Sequence, residues 1–158
     1  MSSFVLARGR FTPMALFVVL CSAAAIRAED GKVTVSVVAI LATDQNATID
    51  KKLVKIAEEV QKLNPKLTGF HSPKETRKNV AINSKEKFEL VDGQVVTITI
   101  EQAADGKNMN VLRVGPPTLG EITYMTICGK FLPIITEYKT KDGDILIIAI
   151  RVQPCRGK

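Results

Sequence analysis

From Lys87 onward the chain is a succession of short apolar runs, each closed by a turn, and that punctuation limits the fold more than any other feature of the sequence. KFELV is followed by Asp92 and Gly93, QVVTITIE by Asp105 and Gly106, and NMNVLRV by Gly115, Pro116 and Pro117. EITYMTI then reaches Cys128 and Gly129, and KFLPIITEY reaches Lys141, Asp142 and Gly143 before the closing run DILIIAIRV. Asp-Gly pairs supply the positive φ that tight hairpins need, and short strands between such turns argue consecutive antiparallel pairing.

The front of the chain reads differently. KVTVSVVAIL, Lys32 to Leu41, is dense in β-branched residues with a period of two: Val33, Val35, Val37, Ala39 and Leu41 share one face. On the other face Thr34 and Ser36 give way to Val38 and Ile40, so this strand is half buried at its start and wholly buried at its end. Next, Ile49, Leu53, Ile56, Ala57, Val60 and Leu63 recur at helical spacing, with lysines and glutamates opposite. Thr48 is the expected N-cap, and Asn64 before Pro65 the expected stop. The segment from Leu67 to Asn83 reads as irregular, with edge strands broken at Pro73. Together these elements predict an α+β fold, mostly antiparallel β in sandwich-like hairpins, with one amphipathic helix after the first strand.

The first thirty residues carry an address. Arg8 and Arg10 precede an apolar stretch from Met14 to Leu20 that runs on into small residues and ends in acidity at Glu29 and Asp30, the layout of a secretory signal. Residues 1–28 are therefore read as a signal peptide and 29–158 as a single β-rich globular domain, with cleavage after Ala28 or after Ala25. A membrane-spanning helix needs about 20 apolar residues, and Thr12, Pro13 and Arg27 bound a shorter run. The alternative is a lipoprotein acylated and anchored at Cys21, although Leu20 stands where a small residue normally precedes such a cysteine. Cleavage after Ala28 removes three arginines and no acid, so the formal net charge of +6 falls to +3. The remaining charge is mixed along the chain and gives little reason to expect nucleic acid as a partner.

Export also changes the cysteine count. Without Cys21 the three cysteines become two, Cys128 and Cys155, in a compartment where disulfides persist. If the last hairpin turns through Thr140 to Gly143, Lys139 faces Asp144, and the same register carries Cys128 opposite Cys155. A three-residue loop would instead put the two cysteines on opposite faces. The expectation is a Cys128 to Cys155 disulfide formed across this hairpin.

Chemistry is sparse. His71 is the lone histidine, and no zinc-type spacing exists, so neither a metal nor a cofactor is expected. Asp44, Asn46 and Thr48 have the spacing of the first ligands of a calcium loop, but Ile49 stands where glycine is required and Lys55 where the bidentate glutamate belongs. Cys128 with His71 would make a thiol nucleophile only if the disulfide were absent. Asp142, Asp144 and Glu137 are the carboxylates that a hydrolase would use, against the simpler reading that aspartates select themselves in a Lys-Asp-Gly turn. No set of catalytic residues assembles from the sequence. The most charged stretch, Lys74 to Lys87, supplies Lys74, Arg77, Lys78, Lys85 and Lys87 as candidate contacts to an anionic surface, against the simpler reading of a solvated edge whose charges keep strands from pairing. Asn46, Ala47 and Thr48 formally match a glycosylation acceptor.

The run VTVSVVAILAT with the helix behind it, then FELVDGQVVTITI, and the ending YKTKDGDILIIAIRVQPC, resemble small exported proteins of planctomycete bacteria. The resemblance covers most of the mature chain, implies an exported bacterial protein, and brings with it no activity or functional residue. The expected function is a non-catalytic binding or structural module of the cell envelope, exported to the periplasm or beyond, with a protein or envelope polymer as partner and no transmembrane segment in the mature chain. The alternatives are an envelope hydrolase working through carboxylates and a lipid-anchored envelope protein.

Overall fold

The computed structural model describes residues 31–155, so the expected signal segment and Cys21 lie outside the described residues. Two four-stranded antiparallel sheets stack face to face. The first has the order β2-β1-β8-β7, from β1 (Lys32–Thr43), β2 (Gly69–Ala81), β7 (Leu132–Lys139) and β8 (Ile145–Gln153). The second follows chain order, β3 (Lys85–Glu89), β4 (Val95–Gln102), β5 (Met109–Gly115) and β6 (Ile122–Ile127). A single helix, α1 (Val54–Leu63), follows the first strand, as the periodicity of its sequence predicts.

Three layers account for the apolar pattern. Val33, Val35, Val37 and Ala39 of β1, with Leu146, Ile148, Ile150 and Val152 of β8, pack against Phe88, Val96, Ile98, Ile100, Leu112 and Val114 of the second sheet. On the other face of the first sheet Val38, Ile40, Ala42, Ile147 and Ala149 meet Leu53, Ile56, Ala57 and Val60 of the helical segment. The two central strands are thus covered on both sides, which is why β8 reads as an unbroken apolar run and β1 becomes one after Ser36. Leu63, the last residue of the helical stripe, remains 74% exposed.

The helix start and the segment after it differ from expectation. Thr48 does not cap the helix: its carbonyl accepts the Phe70 amide at 2.8 Å, and Ile49 makes a parallel bridge to Phe70. The helical segment opens instead with a 3-10 turn over Lys51–Leu53. Asp50, just before it, accepts the Ser72 amide on Oδ2 at 2.9 Å, tying the helix entrance to β2. The stop is where Asn64 predicts, with its amide bonded to the Val60 carbonyl at 2.8 Å. Leu67 to Asn83 is not irregular. Most of it forms β2, which runs unbroken through Pro73 as a thirteen-residue edge strand. An edge tolerates proline because one side of the strand needs no ladder donor, and the register shifts there, with Ser72 and Pro73 of β2 opposite the single Ile40 between the pairs Ala39 with Lys74 and Leu41 with His71.

Asn110, Thr126 and Thr136 are buried polar residues on inward faces, and Asn110 is the one wholly enclosed. Asn110 on β5 is fully buried, and neither its Oδ1 nor its Nδ2 has a hydrogen-bond partner among the described residues. Leucine has nearly the shape of asparagine and carries no polar group to desolvate, so Asn110→Leu should stabilise the domain by about 1 kcal/mol. Urea unfolding checks this, and a loss of stability would show that the amide has a structural partner.

Candidate functional site

The helix covers only half of the outer face of the first sheet. Val38, Ile40 and Ala42 lie under it, whereas Thr34 and Ser36, earlier on the same face of β1, do not. Their cross-strand neighbours are polar as well. Thr34 stands between Asn79 of β2 and Gln153 of β8, and Ser36 stands between Arg77 and Arg151. Two rows of three side chains therefore form a polar platform with strands about 4.8 Å apart and rows about 7 Å apart.

Contacts within the platform hold its parts in place. Thr34 Oγ1 donates to Asn79 Oδ1 at 2.9 Å, and Arg77 Nε donates to Ser36 Oγ at 3.1 Å. The Arg151 guanidinium lies 4.6 Å from the centre of the Phe131 ring, a stacking that orients its plane. Glu75 approaches Arg77 at 3.8 Å, but both groups are largely exposed, so water screens most of that attraction. Above the platform opens a cleft of about 830 Å³ whose lining includes Thr34, Arg77, Asn79 and Gln153 and reaches Pro154 and Cys155. Its charged lining residues, Arg77 and Lys78, are both cations.

The candidate anionic contacts named from the sequence do not form one patch. Alternation along β2 sends Arg77 to the platform and Lys74 and Lys78 to the face turned toward the second sheet, where Val35 is the register partner of Lys78. There Lys78 donates to the Lys87 carbonyl at 2.6 Å and lies 5.1 Å from the Phe88 ring centre, and Lys74 approaches Glu89 at 3.3 Å. Lys74, Lys78 and Lys87 border a smaller cavity of about 420 Å³ that Glu89 also lines. Lys85 belongs elsewhere: it bonds Glu121 and holds that carboxyl below its ordinary pKa.

The other sequence candidates fall apart similarly. His71 is exposed on β2, and Asn46 Oδ1 accepts the Thr48 amide at 3.0 Å in a loop turn. Among the described residues no group of three or more acidic, histidine or cysteine side chains is placed to hold a metal ion. Asp142 and Asp144 belong to the β7 to β8 turn, and neither they nor Glu137 line the two cavities.

Cys128 and Cys155 are joined, with their Cα atoms 5.4 Å apart, but not by the route that strand register suggested. The last hairpin closes with the three-residue loop, Thr140 bonding Asp144, and an irregularity between Ile135 and Lys139 then moves the register so that Leu132 faces Ile150. Neither register opposes the two cysteines. Cys128 instead sits in the turn that leaves β6, where its amide bonds the Asn108 carbonyl, and Gly129 bonds the Val152 carbonyl of β8. Gly129 adopts φ +79°, and a Cβ there would stand 3.2 Å from the Cys155 sulfur, so glycine suits both the turn and the bond. The disulfide links the end of one sheet to the end of the other.

Sequence reasoning missed Thr34, Asn79, Arg151 and Gln153 as members of a site. The signal was present in β1, where Thr34 and Ser36 interrupt an otherwise apolar face, but their neighbours become visible only once the register is known. No protein-family model matches this chain, and no solved structure matches it. Among the described residues no helix is long and apolar enough to cross a membrane.

Proposed function

We propose that this chain is an exported, non-catalytic binding module of the cell envelope that holds an acidic polysaccharide on the polar half of its first sheet. The observation that carries the reading is the platform itself: the Arg77 guanidinium, the Asn79 and Gln153 amides and the Thr34 hydroxyl line one cleft over a rigid three-stranded floor, with Ser36 buried beneath Arg77. Arginine forks suit carboxylate groups, and hydroxyls and amides suit the sugar hydroxyls between them. Floor strands whose side chains also make two apolar cores do not move, so the donors are held in place before binding. Export is supported by the signal-like sequence of residues 1–28 and by a disulfide, which persists in oxidising compartments.

Titration with polygalacturonate, with neutral dextran as the reference, tests the reading. Salt-sensitive binding is expected, and Arg77→Glu should weaken it by about tenfold or more, because a carboxylate would then face the polymer's own. Lys85→Glu, on the other sheet, should change it little. Equal losses in both variants would mean diffuse charge attraction and no site. Binding to vesicles of phosphatidylglycerol in place of the polymer would assign the surface to membrane headgroups.

A further inference from the structure

Each sheet of an open sandwich presents two edge strands, and three of the four here are protected against pairing. β2 carries Pro73 and the charges of Lys74, Glu75, Arg77 and Lys78. β3 is KEKFE, charged at four of its five positions. β7 contains Pro133, Glu137 and Lys139 and is interrupted by the register irregularity after Ile135. These are the devices that keep sheet edges from joining.

β6 has none of them. Its sequence ITYMTI contains no charge, no proline and no glycine, and its pairing with β5 runs without a register shift from Ile122 to Ile127. The Cys128 amide bonds the Asn108 carbonyl, which makes Asn108 and Cys128 a hydrogen-bonded pair of the ladder. By alternation Asn110 with Thr126 and Leu112 with Tyr124 are the next such pairs, so the amides and carbonyls of Thr123, Met125 and Ile127 point away from β5 to the open edge. The side chains of those residues lie on the outer face of the second sheet, where Met125 is 71% and Ile127 44% exposed. Backbone and side chains of Thr123 and Met125 are thus both available, while Ile127 offers its side chain and amide, its carbonyl already accepting the Lys130 amide at 3.1 Å.

We propose that β6 pairs antiparallel with β6 of a second copy, joining the two outer sheets into one eight-stranded sheet. The register that uses the whole strand places Met125 opposite Met125 of the second copy and Thr123 opposite Ile127, which forms roughly four hydrogen bonds without drawing on the Ile127 carbonyls that Lys130 occupies. Met109 and Val111, the β5 neighbours of Ile127 and Met125, extend the apolar stripe across the junction. Charge favours this partner and this direction. The strand is neutral, so no like charges oppose one another, and its head follows Glu121, which shares its charge with Lys85, while Lys130 stands just beyond its tail. Antiparallel pairing brings the head of each strand beside the tail of the other, acid toward base, whereas parallel pairing would align like with like. A contact of this length is at the small end of specific interfaces, so the dimer is reversible and dependent on concentration.

Sedimentation equilibrium of the chain purified from its own host, with residue-resolved hydrogen exchange across the same concentrations, tests the proposal. The mass should rise from monomer toward dimer as concentration increases. In the wild-type chain the amides of Met125 and Ile127 should gain protection in step, while those of Tyr124 and Thr126, already bonded to β5, should not. Met125→Lys places ammonium groups opposite each other at the two-fold axis and should weaken the dimer by about tenfold or more. A monomer at every concentration overturns the proposal. So does a dimer whose new protection falls on β2, β3 or β7, or protection of β6 by a co-purifying extended peptide at monomer concentration.

Discussion

Replacing Phe88 by alanine should destabilise the domain by about 3–5 kcal/mol, a large share of the roughly 5–15 kcal/mol that holds a domain of this size together. Phe88 is fully buried between the sheets and is among the largest such side chains of the molecule. Its strand, KEKFE, has no other large apolar residue, so this ring carries most of what seats β3 on the core. Lys78 adds to it from the neighbouring sheet, with its ammonium 5.1 Å from the ring centre and a hydrogen bond to the adjacent Lys87 carbonyl. Alanine leaves a cavity that a pleated sheet cannot collapse around, and it removes the ring under Lys78. Urea denaturation of Phe88→Ala beside Phe88→Leu measures the effect, with the leucine variant expected to lose less than half as much. A loss below about 1.5 kcal/mol for alanine would mean that β3 is dispensable to the core.

Opening the disulfide should have the next largest effect. The bond closes a separation of 27 residues, for which the chain-entropy relation gives about 3.5 kcal/mol. At about 3–5 °C per kcal/mol for a domain of this length, Cys128→Ser should melt roughly 10–15 °C below the wild type. Cys155→Ser, the double variant and the reduced wild type should all melt near the same temperature, since each lacks the same single constraint. The location of the bond sharpens the expectation. It joins the turn after β6 to the residue two beyond β8, so its loss frees the ends of both sheets together. Thermal unfolding with and without reductant reads this directly, and a melting temperature indifferent to reductant would show that the cross-link constrains nothing.

Much of the architecture was legible before the fold was known. Asp-Gly turns and period-two runs located β3 to β8, and the spacing of Leu53, Ile56, Ala57 and Val60 located the helix, because both signals are local and repeat within a few residues. The segment around Pro73 misled for a physical reason: its charges and proline mark an edge strand as readily as a loop, and the pairing that decides between them lies on β1, more than thirty residues away. The helix start misled similarly, because the backbone from Thr48 to Asp50 bonds to Phe70 of β2, so the helical segment opens only at Lys51. Lys74, Arg77, Lys78, Lys85 and Lys87 are neighbours in the chain, yet strand alternation and the turn between β2 and β3 divide them among separate surfaces.

The sequence by itself determined the repertoire: antiparallel hairpins and one amphipathic helix, both written in spacings of a few residues. Tertiary structure alone decided how far the helix covers the first sheet, and so left Thr34, Arg77, Asn79 and Gln153 uncovered as a platform. It also decided that the cysteines meet across two sheets and that β6 is an edge. The reason is range. Periodicity reports which face of an element seeks a core, whereas the identity of the opposing element depends on contacts between residues far apart in the chain, and nothing in the local pattern records those.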